Sequence, residues 1–440
     1  MTYFSPLEWQ KLNAKERAAA LARPELGDDS SIRETVKKIV ARVREEGDAA
    51  LVALALEIDT RVLSNIAVGA GEIAAAAQRL TAEQRNAIDT AAANIERFHT
   101  AQLPADIDME TMPGVRCSRV SRPIERVGLY VPAGTAPLPS TALMLGIPAK
   151  IAQCPLRVLC SPAQADGQVD PAVLYAAHLC GIDQVFRIGG AQAIAAMAYG
   201  TASIPSVDKI FGPGNRWVTA AKTQVSNDPA GAALDMPAGP SEVLVIADAS
   251  ANPEFVAADL LSQAEHGIDS QAVLVTTSQK FAADVDTAVA KQIDKLSRRT
   301  IVIAALQQSA CIIVPDVTTA IRVSNQYAPE HLILQVENAS GHIAEIKAAG
   351  SVFVGPWAPE SVGDYCSGTN HVLPTYGYAR NYSSLGVSSF LRAMTVQELS
   401  PAGLQNIGST AVTLANLEGL DAHAYAVQCR LAKLAEGEQT

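Results

Sequence analysis

The sequence contains no run of lysine or arginine longer than two residues and no long uncharged apolar stretch. Its 440 residues carry a formal net charge of −11, which argues against nucleic acid or an anionic membrane as the partner. The most apolar segment, residues 141–154, is interrupted by Pro148 and Lys150 and is too short to span a bilayer. Residues 1–33 contain no apolar signal segment, so we expect a cytoplasmic protein. A small molecule is therefore the expected ligand.

Two further absences concern cysteine and glycine patterns. The seven cysteines are odd in number, scattered and without a CxxC pair, which excludes a disulfide framework and a thiolate metal site. No GxGxxG motif follows a predicted strand, so the usual dinucleotide-binding fingerprint is missing. With 48% hydrophobic and 18% charged residues, the chain has the composition of a globular protein.

Short strands alternate with helices in two successive series, over residues 127–226 and 242–354. This alternation is typical of parallel sheets with right-handed crossovers, and the similar rhythm of the series is what a duplication would produce. An arm precedes the first series, and after Ser384 the pattern becomes helical. We predict an α/β fold: two incomplete Rossmann-like parallel-sheet domains with a helical N-terminal arm and a helical C-terminal tail.

The expected domain boundaries follow from these series. Residues 1–27 form the arm, and residues 28–129 plus 238–385 form the first Rossmann-like domain. Residues 130–237 form the second such domain, which is expected on the NAD side. Residues 386–440 form the tail, which is expected to reach a partner subunit.

The pair Glu330-His331 follows Pro329 and precedes an apolar strand. Pro329 fixes its own φ and biases Ala328 away from helical conformation, so the pair is expected on a rigid turn. A carboxylate and an imidazole held at such a junction suit acid–base chemistry. On this pair alone, an exposed polar turn is the simpler interpretation.

Other polar residues form candidate metal ligands. Gln263 and His266 are three apart at a predicted helix end, on one helical face. Asp364 and His371 belong to a long Gly-rich loop, the kind that is usually functional. Imidazole, carboxylate and amide groups together suit Zn²⁺ or a similar divalent ion, although these spacings also fit ordinary helix caps. Glu418 and His423 lie five apart in the tail.

Tyr130 ends one predicted strand, and Gln192 and Asn215 lie in Gly-rich strand-to-helix turns. In an open α/β sheet, all three would face the crevice at the carboxyl ends of the strands, where nucleotides bind. The alternative is that these glycines only make tight turns.

Several stretches together closely resemble the histidinol dehydrogenase family, in the same order along nearly the whole chain. They are residues 326–332, 262–267, 235–243, 210–215 and 367–374. The resemblance implies NAD-dependent oxidation of L-histidinol through L-histidinal to L-histidine, the last step of histidine biosynthesis, with two hydride transfers in one site.

The resemblance also implies residue roles and partners. It places one Zn²⁺ per site on Gln263, His266, Asp364 and His423. It makes Glu330 and His331 the paired bases. It implies that the substrate contacts are the metal ligands together with Ser241, His331, His371 and Glu418. It gives Tyr130, Gln192 and Asn215 as NAD contacts. It implies an intertwined homodimer in which the tail completes the partner subunit's site.

Two other functions remain open from the residues alone. In a zinc hydrolase, Glu330 would activate a metal-bound water without nicotinamide. A non-catalytic, metal-dependent binder of a small amine would use the same two α/β domains.

Overall fold

A computed structural model of the chain describes residues 3–24, 30–133, 136–237 and 239–437. The chain divides into two compact units: Met1–Gln102 with Ile124–Phe390, and Leu103–Pro123 with Leu391–Thr440. The boundaries expected at residues 27/28 and at residue 238 lie outside the described residues. Within the described ranges, no helix has the length and hydropathy that crossing a membrane requires.

Strands and helices are numbered along the described chain. The strands are β1 (Pro6–Glu8), β2 (Ile107–Met112), β3 (Val115–Pro123), β4 (Arg126–Tyr130), β5 (Leu156–Cys160), β6 (Gln184–Phe186), β7 (Lys209–Phe211), β8 (Ala233–Leu234), β9 (Glu242–Ala247), β10 (Gln271–Thr276), β11 (Ala310–Ile313), β12 (His331–Gln335), β13 (Ser351–Val354) and β14 (Leu391–Leu399). The helices are α1 (Ala14–Ala20), α2 (Ser30–Glu46), α3 (Asp48–Glu57), α4 (Ala70–Ala75), α5 (Ala82–Thr100), α6 (Pro139–Ile151), α7 (Pro171–Leu179), α8 (Gly190–Tyr199), α9 (Arg216–Ser226), α10 (Pro253–Ala264), α11 (Gln279–Ile293), α12 (Arg299–Leu306), α13 (Val317–Tyr327), α14 (Glu360–Tyr365), α15 (Pro401–Leu417) and α16 (Asp421–Gly437).

The first sheet is parallel throughout, in the order β1-β11-β10-β9-β12-β13. Its central strands β9 and β10 are buried at every position, as expected when helices cover both faces. Alternate residues point to opposite faces. Val243 and Val245 of β9 pack into the core cluster on one side, whereas Leu244 and Ile246 pack into the cluster on the other.

The second sheet is also parallel, in the order β6-β5-β4-β7-β8. Counted from the first strand of each series, both sheets share the order third, second, first, fourth, fifth. The first sheet merely adds β1 at its edge. This shared order confirms the predicted α/β fold with two Rossmann-like sheets.

Two segments lie elsewhere than predicted. Residues 126–129, assigned to the first domain, belong to β4 of the second sheet, where Val127 is paired with Arg157 on one side and Lys209 on the other. A boundary at Tyr130 would therefore divide a central strand. The N-terminal arm is not only helical, because β1 pairs with β11 through Leu7 and Ile312.

The second unit contains a three-stranded antiparallel sheet, in the order β14-β3-β2, and helices α15 and α16. The two helices confirm the predicted helical tail. Its first part was predicted wrongly, because residues 391–399 form β14 rather than helix. β14 pairs with β3 along its whole length, from Leu391 opposite Pro123 to Leu399 opposite Val115. A partner so distant in sequence leaves no local signal.

Candidate active site

A sharp turn between α13 and β12 presents Glu330 and His331. After Tyr327, Ala328 adopts a left-handed conformation with φ +55° and ψ +68°, which costs a non-glycine residue about 1–2 kcal/mol. Pro329 follows and fixes φ, so the chain leaves the helix in one direction. Glu330 and His331 are only 6% and 4% exposed. The predicted turn is confirmed, and it is not an exposed polar turn.

The Glu330 carboxylate is held by backbone groups of neighbouring strands. The side-chain Oε2 of Glu330 accepts a hydrogen bond from the Glu242 N–H at 2.9 Å. The backbone oxygen of Glu330 accepts one from the Ser351 N–H at 2.8 Å. A Cβ at Gly350 would lie 2.6 Å from that oxygen, so only glycine fits there. Burial raises the pKa of Glu330 to about 8, although the charge of His331 opposes this. The carboxyl group therefore exchanges a proton near neutral pH.

His331 has one ring nitrogen engaged and the other available. Nδ1 lies 3.2 Å from the backbone oxygen of Glu242. Because a carbonyl oxygen only accepts, Nδ1 carries the hydrogen in the neutral ring. Nε2 has no hydrogen-bond partner among the described residues and lies 3.5 Å from Asp364 Oδ1. Burial lowers the pKa of His331, but the charges of Glu360 and Glu330 outweigh it and hold the pKa well above its usual range.

Helix α14 adds two carboxylates to this pair. Glu360 is almost completely buried, with Oε1 3.7 Å from His331 Nδ1 and with Oε2 unpartnered in the described part of the chain. Burial raises the pKa of Glu360 to about 7. Burial acts to raise the pKa of Asp364 as well, but the close contact with His331 outweighs burial and lowers that pKa below its usual value. We did not predict Glu360, although its i,i+4 spacing to Asp364 on one helical face was an available signal.

Two of the predicted metal ligands, His266 and Asp364, come together here. Gln263 lies in the last turn of α10. This helix ends at Ala264 rather than at His266, because the His266 N–H donates a hydrogen bond to the Gln263 backbone oxygen. Gln263 is fully buried, and neither its Nε2 nor its Oε1 has a partner among the described residues. Such an orphaned amide needs a ligand to explain it. One ligand atom each from His266, Glu360 and Asp364 lie within 4.8 Å of one another. This donor set fits Zn²⁺.

His371 belongs to the same cluster, because Asp364 and His331 both act electrostatically on it. Burial lowers its pKa, and its Nε2 is another atom with no partner in the described chain. The preceding Asn370 fixes the loop by donating to the Met144 backbone oxygen at 2.7 Å. Ser241 lies directly before β9.

The predicted metal ligand His423 and the predicted substrate contact Glu418 lie in the second unit. Glu418 is the C-cap of α15, and His423 lies in the first turn of α16. Both side chains are exposed.

The predicted cofactor residues lie at the carboxyl ends of strands in the second sheet. Tyr130 ends β4, and its hydroxyl accepts a hydrogen bond from the Gly190 N–H at 3.1 Å. Gln192 Nε2 donates to Asp59 Oδ2 at 3.1 Å. Asn215 caps α9 by accepting from two backbone N–H groups. All three follow strands of this sheet, although Tyr130 and Gln192 are buried. Their role in cofactor binding stays a prediction, and Asn215 has a structural role as well.

One cleft of about 1210 Å³ is lined by loop residues next to both sheets and by residues of α2 and α9. Ser241 and His266 lie on its wall beside the first sheet, and Asn215 and Trp217 lie on the wall formed by α9. A ligand in this cleft would contact the metal-ligand cluster and the cofactor turn together.

Comparison with known proteins gives a consistent result. Residues 22–431 match the sequence model of a family described as histidinol dehydrogenase. Histidinol dehydrogenase of Vibrio parahaemolyticus is 55% identical over 428 residues, which are 97% of this chain and 98% of the relative. That of Vibrio cholerae is 54% identical over 430 residues, 98% of this chain and 99% of the relative. The crystal structure of histidinol dehydrogenase from Elizabethkingia anophelis matches with a TM-score of 0.95 and 46% identity over 99% of each chain.

Proposed function

The chain belongs to the histidinol dehydrogenase family, a family of oxidoreductases, and from that premise we propose that it oxidises L-histidinol to L-histidine, the last step of histidine biosynthesis. The reaction passes through L-histidinal, uses two NAD and one water, and releases two NADH. The observation that supports it most directly is His331 Nε2. This buried atom makes no hydrogen bond within the described chain and lies 3.5 Å from Asp364 Oδ1, while the other ring nitrogen, Nδ1, lies 3.6 Å from a second acid–base group, Glu330.

In the first oxidation, His331 Nε2 accepts the hydroxyl proton of L-histidinol. The C–H bond of the same carbon breaks, and its hydride passes to the nicotinamide of NAD, leaving an aldehyde. The contact between Nδ1 and the Glu242 backbone oxygen keeps the ring in the tautomer that this step needs.

In the second oxidation, Glu330 accepts a proton from the water that attacks the aldehyde carbon. His331, after releasing the first proton to solvent, takes a hydroxyl proton from the resulting hydrate as the second hydride leaves for the second NAD. Glu330 Oε2 lies 3.6 Å from His331 Nδ1, so the protonation states of the two are coupled. With a pKa near 8, Glu330 ionises within reach of neutral pH. The two groups act in succession.

Zn²⁺, one per site, would supply a fixed positive centre that orients the imidazole and amine of the substrate. Gln263, His266 and Asp364 would hold it, together with His423 of the partner subunit. Ser241, His371 and Glu418 of the partner subunit would contact the substrate. The orphaned amide of Gln263 supports the metal proposal.

NAD would bind at Tyr130, Gln192 and Asn215. Their position at the carboxyl ends of a parallel sheet supports this, because ligands of such folds bind there. Asn215 also lines the cleft that contains His266, so a cofactor held there would be within reach of the substrate.

We propose a homodimer because exposed apolar side chains accompany Glu418 in the second unit. Leu417 is 79% exposed and Tyr425 is 68% exposed, and a second copy of the chain would cover such a surface.

The yield of NADH per L-histidinol consumed tests the reaction. We expect two equivalents from the natural protein, and a yield of one would mean release at the aldehyde. In Glu330→Gln, we expect the first oxidation to continue and L-histidinal to accumulate, so the yield falls toward one. Equal loss of both oxidations in Glu330→Gln, with His331→Asn sparing the first, would exchange the two roles.

Mixed dimers test the shared site. His331→Asn and His423→Asn are each expected to be inactive alone. If His423 acts on the partner subunit's site, co-refolding the two variants in equal amounts assembles one intact site in each hybrid dimer. About one quarter of the natural activity should then return. No return of activity in dimers shown to have exchanged subunits would contradict the shared site.

A further inference from the structure

Arg23 of the N-terminal arm reaches the first sheet behind the catalytic pair. Its Nε donates to Glu242 Oε2 at 2.5 Å and its Nη2 to Glu242 Oε1 at 2.7 Å. The same Nη2 donates to the backbone oxygens of Tyr327 at 2.9 Å and Ala328 at 3.3 Å. The Arg23 and Glu242 side chains are 10% and 2% exposed. The guanidinium therefore links the start of β9 to the end of α13 inside the protein.

The two segments that Arg23 joins are those that hold Glu330 and His331. The Glu242 N–H donates to Glu330 Oε2, and the Glu242 backbone oxygen faces His331 Nδ1. Ala328, with its left-handed backbone, stands two residues before Glu330. Arg23 thus contacts the side chain of one segment and the backbone of the other. The first segment contacts the pair through the Glu242 backbone, and the second continues directly into the pair.

The chemistry of this link requires arginine rather than any cation. A planar guanidinium makes two parallel hydrogen bonds to a carboxylate and still has N–H groups for other acceptors. The ring of Tyr327, 4.0 Å from the guanidinium carbon, covers one of its faces. An ammonium group has no such flat face and cannot make the same fork.

We propose that Arg23 is a positioning residue for Glu330 and His331, which it orients through Glu242 and the turn at Ala328. The inference rests on the roles proposed above for the pair. Arg23 touches neither the substrate nor the metal ligands: the described chain shows no hydrogen bond from it to α10 or α14. Its loss should therefore affect the chemical step more than binding.

Arg23→Lys tests the proposal, because it keeps the charge and removes the fork. We expect kcat to fall about 10- to 100-fold, the cost of a small misplacement of reacting groups. The KM for L-histidinol and the zinc content should stay within about twofold, since binding and metal ligands are not displaced. The pH at which kcat reaches half its maximum should also shift. Arg17→Lys is the matched control. Arg17 lies in the same arm, and its Nε donates to the Trp9 backbone oxygen. The Arg17→Lys variant should have unchanged activity.

Chemical rescue separates positioning from folding. In Arg23→Ala, millimolar guanidinium should restore part of kcat, whereas the same concentration should not affect Arg17→Ala. The proposal is overturned if Arg23→Lys retains full kcat, or if its kcat, KM, zinc content and melting temperature all change together. If Arg23→Ala does not fold, the lysine variant alone decides.

A readout independent of activity distinguishes this inference from the proposed function. Nitrogen-15 NMR of the His331 ring, recorded at a pH high enough for the ring to be neutral, should report the Nδ1–H tautomer in the natural protein and a mixture in Arg23→Lys. A natural protein that shows this tautomer but does not oxidise L-histidinol would refute the proposed function while leaving the positioning intact. An identical ring spectrum in both proteins would refute the positioning.

Discussion

The two parallel sheets share one strand order but present their functional residues at opposite ends. In the second sheet, Tyr130 and Asn215 lie at the carboxyl ends of β4 and β7, where ligands of open α/β sheets usually bind. In the first sheet, Glu330 and His331 lie at the amino end of β12, and Ser241 lies at the amino end of β9. The candidate functional residues therefore lie at both ends of one architecture, and only those of the second sheet lie where the usual rule for locating a ligand places them.

The two ends also differ in charge. Each has a buried ion pair beside its turn: Arg23 with Glu242 in the first sheet, and Lys222 with Asp235 in the second. Lys222 also donates to the Gly212 backbone oxygen at 2.9 Å. The candidate functional side chains near the ion pair are mostly ionisable in the first sheet and mostly neutral in the second. The first end is suited to moving protons, and the second to binding a cofactor.

Removal of the imidazole should show the largest effect of this difference. We expect His331→Asn to lower kcat for L-histidinol by about 10²- to 10⁴-fold, the usual contribution of a general base, while zinc content is retained. Steady-state kinetics and metal analysis measure both. His342→Asn, whose natural ring pairs with Glu345, is the control and should be fully active. A His331→Asn variant of normal kcat would end the assignment of proton transfer to this sheet.

Loss of a metal ligand should have the next largest effect. We expect His266→Asn to bind zinc about 10- to 100-fold more weakly, so activity falls and returns only at high added Zn²⁺. Titration with a chelator measures the affinity. His178→Asn, at the exposed end of α7, should match the natural protein. Full zinc occupancy of His266→Asn under the same chelator would remove His266 from the ligand set.

A change at the second sheet should affect only the cofactor. We expect Gln192→Ala to raise the KM for NAD about tenfold, the effect of losing one hydrogen bond of about 1.4 kcal/mol, with little change in kcat at saturating NAD. Gln164→Ala removes a similar bond, from Gln164 Nε2 to Asp170 Oδ2 at 2.7 Å, and is the control. If kcat fell in Gln192→Ala while the KM for NAD stayed constant, the division between the two ends would fail.

The smallest expected effect concerns stability. Asp259 is buried in α10, accepts a hydrogen bond from Gln335, and has its pKa raised by burial to about 7. A carboxyl with a raised folded-state pKa binds its proton more tightly in the folded state, so the free energy of unfolding falls as pH rises from about 4 to about 7. Asp259→Asn should remove this loss and gain at least about 1 kcal/mol at pH 8.

Urea unfolding at pH 4 and pH 8 measures that difference. Asp284→Asn, at an exposed position on α11, should show the same change with pH as the natural protein. A constant difference between Asp259→Asn and the natural protein at both pH values would mean that Asp259 does not titrate as its burial suggests.

Local patterns predicted much of this molecule from its sequence. The turn before Glu330 follows from Pro329, and the positions of Gln192 and Asn215 follow from strand–helix alternation. The left-handed conformation of Ala328 does not follow, because the residue before proline is ordinarily extended. The neighbouring packing of Tyr327 and Arg23 decides it.

What the sequence did not predict depends on distant partners. Strand β14 exists because β3 lies beside it, and β1 exists because β11 offers an edge. Glu360 belongs to the site because β12 brings His331 against α14. For the two strands, the residues' own neighbours carry no sign of the partner, which only the folded chain supplies; for Glu360, the spacing to Asp364 was the one local sign.

The contacts of the N-terminal arm depend on chain that is synthesised much later. β1 waits for β11, and Arg23 waits for Glu242 and Tyr327. At the usual 5–20 residues per second, the ribosome needs roughly 15 to 65 seconds to make the intervening chain. The arm emerges from the ribosome first, and until the later chain is made it has no strand or acceptor to contact. The earliest residues synthesised are thus among the last to find their places, and a shortened chain that lacks the end of α13 leaves Arg23 without its acceptors there.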